Sequence, residues 1–321
     1  MSTRFRIGQV VFLAAVSALL ISRPTFAETI YATSINTNTI YSVDTVTHAV
    51  TTVFTAPSAL DSLIFDPTGR IIYSELNSGT VAAFNPNTHT NVNLATGLAS
   101  PIDLALEPTL TSVLVSDASS NQLSRVSLAG GLLTNLSLGG RPDGVIYDGT
   151  GRLFVNVSSG FQSNNSQVER LDPTTGAVIQ SSGNTGLFLD GLTYDSFTGM
   201  LFATDYNNGR IVSIDPNTLH FTILTPTGAG IPGNGPDGIT SDGAGNLFLA
   251  SRNNGEVVEY NIASNLATNI APINGLDDLA PASGLGSSVP EPGAFFMLSA
   301  GLLGLGGVVF GVKSRLAAKP D

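Results

Sequence analysis

The sequence predicts an all-β fold: a six-bladed β-propeller closed by its N- and C-terminal strands, with an N-terminal signal peptide and one C-terminal transmembrane helix outside it. Three observations carry this. Residues 236–261, PDGITSDGAGNLFLASRNNGEVVEYN, read as an Asp-led apolar strand, an Asp-x-x-Gly turn, a second strand, an Asn/Gly loop and a third strand, with a looser fourth to follow. The motif then recurs, because Asp61, Asp103, Asp143, Asp190, Asp237 and Asp277 each open such a strand, 40 to 47 residues apart. Four strands at that spacing make one blade, which can bury both faces only against neighbours. Finally, the last unit stops after its first strand, whereas the chain before Asp61 supplies TIYATS, TIYSVD and TTVFT with no first strand. The two fragments complete each other. The strand near residues 276–280 therefore pairs with strands from residues 29–55, and closure removes the exposed sheet edges.

In chain order, residues 1–27 read as a secretory signal peptide. Arg4 and Arg6 precede a 12-residue apolar run over 10–21, and Thr25 and Ala27 place small residues at the −3 and −1 positions of a cleavage site after Ala27. The propeller occupies 28–284. Its two irregularities are an enlarged loop at 158–167 and a Gly/Pro-rich connection at 225–235. Both emerge on the face where the inner strands begin, and insertions gathered on one face of a repeat protein mark its binding face. Residues 285–292 form a linker ending in Val289, Pro290, Glu291 and Pro292. A 20-residue uncharged span over 293–312 follows, long enough as a helix to cross the hydrocarbon of a bilayer. Lys313 and Arg315 then place the tail, 313–321, in the cytoplasm and the propeller outside.

There are no cysteines, so disulfides and thiol chemistry are excluded. Without its two ends the chain keeps seven basic residues, all Arg, against 23 acidic ones, a net charge of −16. Such a body repels nucleic acid and anionic membranes and suits cations or neutral polymers. The absence of Lys also excludes Schiff-base chemistry. His48, His89 and His220 fall in the same outer turn of three different blades, too far apart for a joint site. The Asp-x-x-Gly turns at Asp66, Asp148 and Asp242 each bring one carboxylate without a second ligand at calcium-loop spacing, and read as Asx turns. The inner-strand aspartates converge on the channel mouth instead. Neighbours about 8 Å apart would repel by about 2 kcal/mol per pair at an effective dielectric of 20. A bound cation, partial protonation, or hydrogen bonds from backbone amides of the next blade would each offset this.

Two resemblances add to this reading. The Val289-Pro290-Glu291-Pro292 motif, apolar span and basic tail resemble the PEP-CTERM sorting signal, which implies processing by an exosortase-type membrane protease and an association with exopolysaccharide. The blades resemble those of the gluconolactonase and regucalcin type, and more weakly NHL repeats. That resemblance implies a divalent cation, Ca2+ or another, held by Asp61, Asp190 and Asp237. Asp237 matches the family's Pro-Asp-Gly motif, while Asp190 and Asp61 stand where the family has Asn and Glu. Arg141 and Asp143 approximate its substrate contact. Nothing in the residues themselves demands a cofactor. The expected function is an exported binding module of the cell envelope or extracellular matrix, taking a polysaccharide or protein on the blade-start face. The alternative is a metal-dependent lactone or ester hydrolase with Asp190 or Asp237 as the catalytic residue.

Overall fold

The computed structural model describes residues 29–228, 231 and 235–281. The signal-peptide, sorting-motif and transmembrane assignments lie outside them. Six antiparallel four-stranded sheets are arranged as blades around a central channel. Their inner strands are Leu60–Phe65, Pro101–Leu106, Arg141–Tyr147, Leu189–Asp195, Pro236–Ser241 and Leu276–Pro281. Each packs against the next, and the last returns to the first. The ring closes as the sequence predicts. Leu276–Pro281 pairs antiparallel with Thr29–Ser34, bringing Tyr31 opposite Ala280 and Ala32 opposite Leu279.

Burial follows position in the blade. Second strands such as Ser112–Asp117 and Leu153–Ser158 are buried along their whole length, since neighbouring blades cover both faces. They accordingly carry short apolar runs, Val113-Leu114-Val115 and Leu153-Phe154-Val155, without the in-and-out alternation of a half-exposed strand. Fourth strands such as Val50–Thr55 and Leu132–Ser137 form the rim, mostly exposed and rich in Thr and Asn. The core lies in slabs between blades. Ile72 and Val81 of one blade, for example, pack with Leu104 and Val113 of the next. Thr227–Gly228, in the Gly/Pro-rich connection, adds a short parallel fifth strand to the outer edge of the last blade.

Every inner strand carries a bulge near its start. Two residues fall outside the pairing between Leu60 and Leu63, Pro101 and Leu104, Pro142 and Val145, Leu189 and Leu192, and Pro236 and Ile239, with the same irregularity in the closing strand. This explains the Asp-Gly motif. A Cβ on Gly191 would stand 2.7 Å from the Asp237 carbonyl oxygen, and one on Gly144 2.5 Å from the Leu192 nitrogen. The glycine lets the next inner strand come close enough to narrow the channel, and the bulge aims the aspartate before it.

A carboxylate and arginine network in the channel

The bulge register corrects one sequence expectation. The first bulge residues around the ring are Asp61, Ile102, Asp143, Asp190, Asp237 and Asp277, so five carboxylates occupy this level, with isoleucine as the sixth member. Asp103 is the second residue of its bulge, in register with Ser62, Gly144, Gly191, Gly238 and Asp278. That offset gives it different partners. Its carboxylate accepts hydrogen bonds from Val145 N of the next blade at 2.7 Å, from Leu104 N at 2.8 Å and from Ser62 Oγ at 3.1 Å. Burial still raises its pKa, to about 6. Asp278 accepts from Leu279 N at 2.7 Å, and burial holds its pKa well above the usual range.

The upper level is neutralised in part by arginine. Arg252, from the loop after the second strand of the last blade, bridges Asp237 at 2.7 Å and Asp277 at 3.0 Å. Burial works against its charge, but Asp277 and Asp237 hold it protonated beyond the ordinary arginine range. Arg141 pairs with the buried Asp143, which also accepts from Ser158 Oγ. Two positive charges do not balance five negative ones, and the remainder is met by protons. Burial and the charge of Asp237 push Asp61 up to about 8, and the same two causes hold Asp190 well above its ordinary value. Asp190 and Asp237 stand within hydrogen-bonding reach, an arrangement that needs one proton between them. The sequence anticipated protons and backbone amides but not arginine.

All three residues of the expected cation site, Asp61, Asp190 and Asp237, meet in the channel. An ion there would have to displace Arg252 from Asp237. Among the described residues no group of three or more His, Cys, Asp or Glu side chains stands in ion-holding geometry. The residues present do not fit a divalent ion.

Arg141 also connects the network to the blade-start face. Its guanidinium carbon lies 5.3 Å from the ring centroid of Phe161, on the enlarged loop. Phe161 is 53% exposed and stands edge-on to Phe188 at 5.5 Å and to Tyr206 at 5.8 Å. The loop is held by its own bonds, Asn165 Nδ2 donating to Ser159 Oγ at 2.8 Å. It is also tied to the next blade by Asn207 Nδ2, which donates to Gln162 O and Asn164 Oδ1. The sequence pointed to this loop without singling out Phe161.

Below the aspartates the channel widens into a cavity of about 300 Å³. Its walls include Ile64, Leu106, Ile146, Tyr194 and Ala280, and its lining reaches the exposed turn residues Pro108, Leu110 and Gly149 on the opposite face.

Together, fold and site define a six-bladed β-propeller module of a form compatible with a binding role. The chain matches no family model and no curated protein sequence. It is similar in fold to a chain in the crystal structure of a nidogen/laminin complex, with a TM-score of 0.64 and 16% identity over 80% of this chain and 98% of that one. It is also similar to virginiamycin B lyase from Staphylococcus aureus, with a TM-score of 0.58 and 13% identity over 75% of this chain and 80% of that one. A streptogramin B lyase structure gives the same TM-score and identity, with 78% of that chain covered.

Proposed function

We propose that the protein is an exported binding module of the cell envelope or extracellular matrix, whose blade-start face takes a polysaccharide. In this reading residues 1–27 direct export. The Val289-Pro290-Glu291-Pro292 motif and the apolar span after it direct handling by an exosortase-type protease, which ties the module to exopolysaccharide. The observation that supports the reading is the Phe161 ring. It is presented to solvent on a loop fixed from two sides, beside Arg141 and Tyr206, where a sugar ring can stack on the aromatic face and hydrogen-bond to charged neighbours. The hydrolase alternative is weaker, because Asp237 is engaged by Arg252 and Asp190 by Asp237.

The test is binding of the protein to the exopolysaccharide fraction of the cells that produce it, compared with Phe161→Ala. The expected result is saturable binding that weakens at least tenfold in the variant, with no turnover of aliphatic lactones. Equal binding by both proteins, or lactone hydrolysis lost on Asp190→Asn, would overturn it.

A further inference from the structure

The cavity beneath the aspartates lies on the other side of the network from Phe161, and the face reading above does not use it. Its composition is divided along its length. The walls carry Ile64, Ile146 and Tyr194, and the mouth is formed by the turns carrying Pro108, Leu110 and Gly149, where Glu107 and Asp148 are held by Arg125 and Arg152. The closed end carries Asp61, Asp103, Asp143, Asp190, Asp237 and Asp278. Neither Arg141 nor Arg252 lines the cavity among the described residues, and the ion pairs of these arginines go to Asp143, Asp237 and Asp277. Among the described residues the other four carboxyls, Asp61, Asp103, Asp190 and Asp278, have no arginine in contact. Three have other hydrogen-bond partners, as described above, whereas the contacts of Asp61 in this network are made through its backbone carbonyl, which accepts from Thr33 Oγ1.

We propose that this cavity binds a small organic cation through the far face, with an apolar body against Ile64, Ile146 and Tyr194 and an ammonium group at Asp61. Charge complementarity selects the class. An anion would meet six carboxyls, only two of them paired with arginine, and a neutral body would fill the walls but leave the acidic end as it was. An ammonium supplies the donors and the direct counter-charge that the four carboxyls outside the arginine pairs lack. The volume admits a six-membered ring. Because Asp61 carries a proton near neutral pH in the free protein, bringing an ammonium beside it releases that proton to solvent.

The experiment uses three probes of one shape and different charge, cyclohexylammonium, cyclohexanol and cyclohexanecarboxylate, titrated calorimetrically into the full chain at pH 7 in two buffers of different ionisation enthalpy. Cyclohexylammonium is expected to bind at least tenfold tighter than cyclohexanol, with a heat that differs between buffers, and the carboxylate not at all. Asp61→Asn should lose that preference while still taking cyclohexanol. Ile146→Phe, which fills the wall, should weaken both ligands. Equal affinity for ammonium and alcohol, or no binding of either, would overturn the proposal. So would ammonium binding unchanged in both variants, or a response to calcium alone. None of these outcomes bears on polysaccharide binding at Phe161.

Discussion

The propeller repeats aspartate at two places in its blades, and the two sets behave in opposite ways. In the turns between first and second strands, Asp66 and Asp148 are side chains with both carboxylate oxygens engaged by donors. Asp148 Oδ1 accepts from Thr150 N, Thr150 Oγ1 and Arg152 N at 2.8 to 2.9 Å, and its Oδ2 accepts from Arg152 Nε at 2.6 Å. Burial works against the charge, but these bonds, led by the Arg152 amide, hold its pKa below the ordinary value. On the inner strands the same residue type meets others of its kind, and burial holds Asp61, Asp190 and Asp277 above it. A turn encloses its carboxylate with donors from one short segment. A ring brings together carboxylates from five segments, and their donors must come from elsewhere.

The largest effect should come from removing the donor that the ring borrows. Arg252→Met leaves Asp237 and the buried Asp277 without their counter-ion. Breaking such a pair costs about 3 kcal/mol or more, because the remaining charge stays buried. Chemical denaturation should show that loss at pH 8 and a smaller one at pH 5, where protonation relieves the carboxylates. A loss independent of pH would mean that Arg252 acts by packing alone.

The second test separates the two sets by the sign of their pH dependence. A carboxyl with a raised folded pKa contributes stability that is complete below its unfolded value near 4 and is lost as pH rises through the folded value. For Asp103 and Asp61 that loss runs from about pH 4 up to about 6 and 8. Asp61→Asn should therefore flatten the decline in melting temperature between pH 6 and 8, making the variant the more stable protein at pH 8. The turn aspartates run the other way. Their lowered pKa gives stability present above pH 4 and lost as pH falls, so Asp148→Ala should be most costly at neutral pH. Melting curves across pH 4 to 8 distinguish these slopes, and parallel curves for both variants would dissolve the distinction.

The turns were readable in the sequence because all their partners lie within four residues of the aspartate. Ring closure was readable too, since the unmatched first strand at 276–281 and the missing one before Asp61 leave no other pairing. The ring level was misread at one blade. Aligning PIDLALE on its aspartate selects Asp103, whereas aligning Pro101 with Pro142 and Pro236 selects Ile102, the residue that the bulge places there. Arg252 escaped notice because it approaches Asp277 from a loop 25 residues away, and no local pattern joins them. The cavity on the far face depends on which side chains narrow the channel and which leave it open, and a repeat pattern alone does not carry that.

The smallest effect tests whether charge or hydrogen-bond geometry makes the turns work. Asp242 occupies the same turn as Asp148 in the last blade, with Asn246 where the other turns have arginine. Its Oδ1 accepts from Ala244 N at 2.7 Å and Asn246 N at 3.0 Å, and its Oδ2 from Asn246 Nδ2 at 2.6 Å. An asparagine side chain keeps the oxygen that caps the two amides and converts the other acceptor into a donor. At Asp148 that donor would face the Arg152 guanidinium and lose a charge-assisted bond, so Asp148→Asn should cost about 2 kcal/mol. At Asp242 it faces a neutral amide whose own oxygen already accepts from Asn261 Nδ2, so one neutral hydrogen bond is lost and no ion pair, and Asp242→Asn should cost about 1 kcal/mol. Denaturation midpoints of the two variants at pH 7 decide between the readings. Equal losses would mean that the turns depend on a carboxylate as such, and that their difference from the ring lies in solvent exposure and not in how completely each aspartate is enclosed by donors.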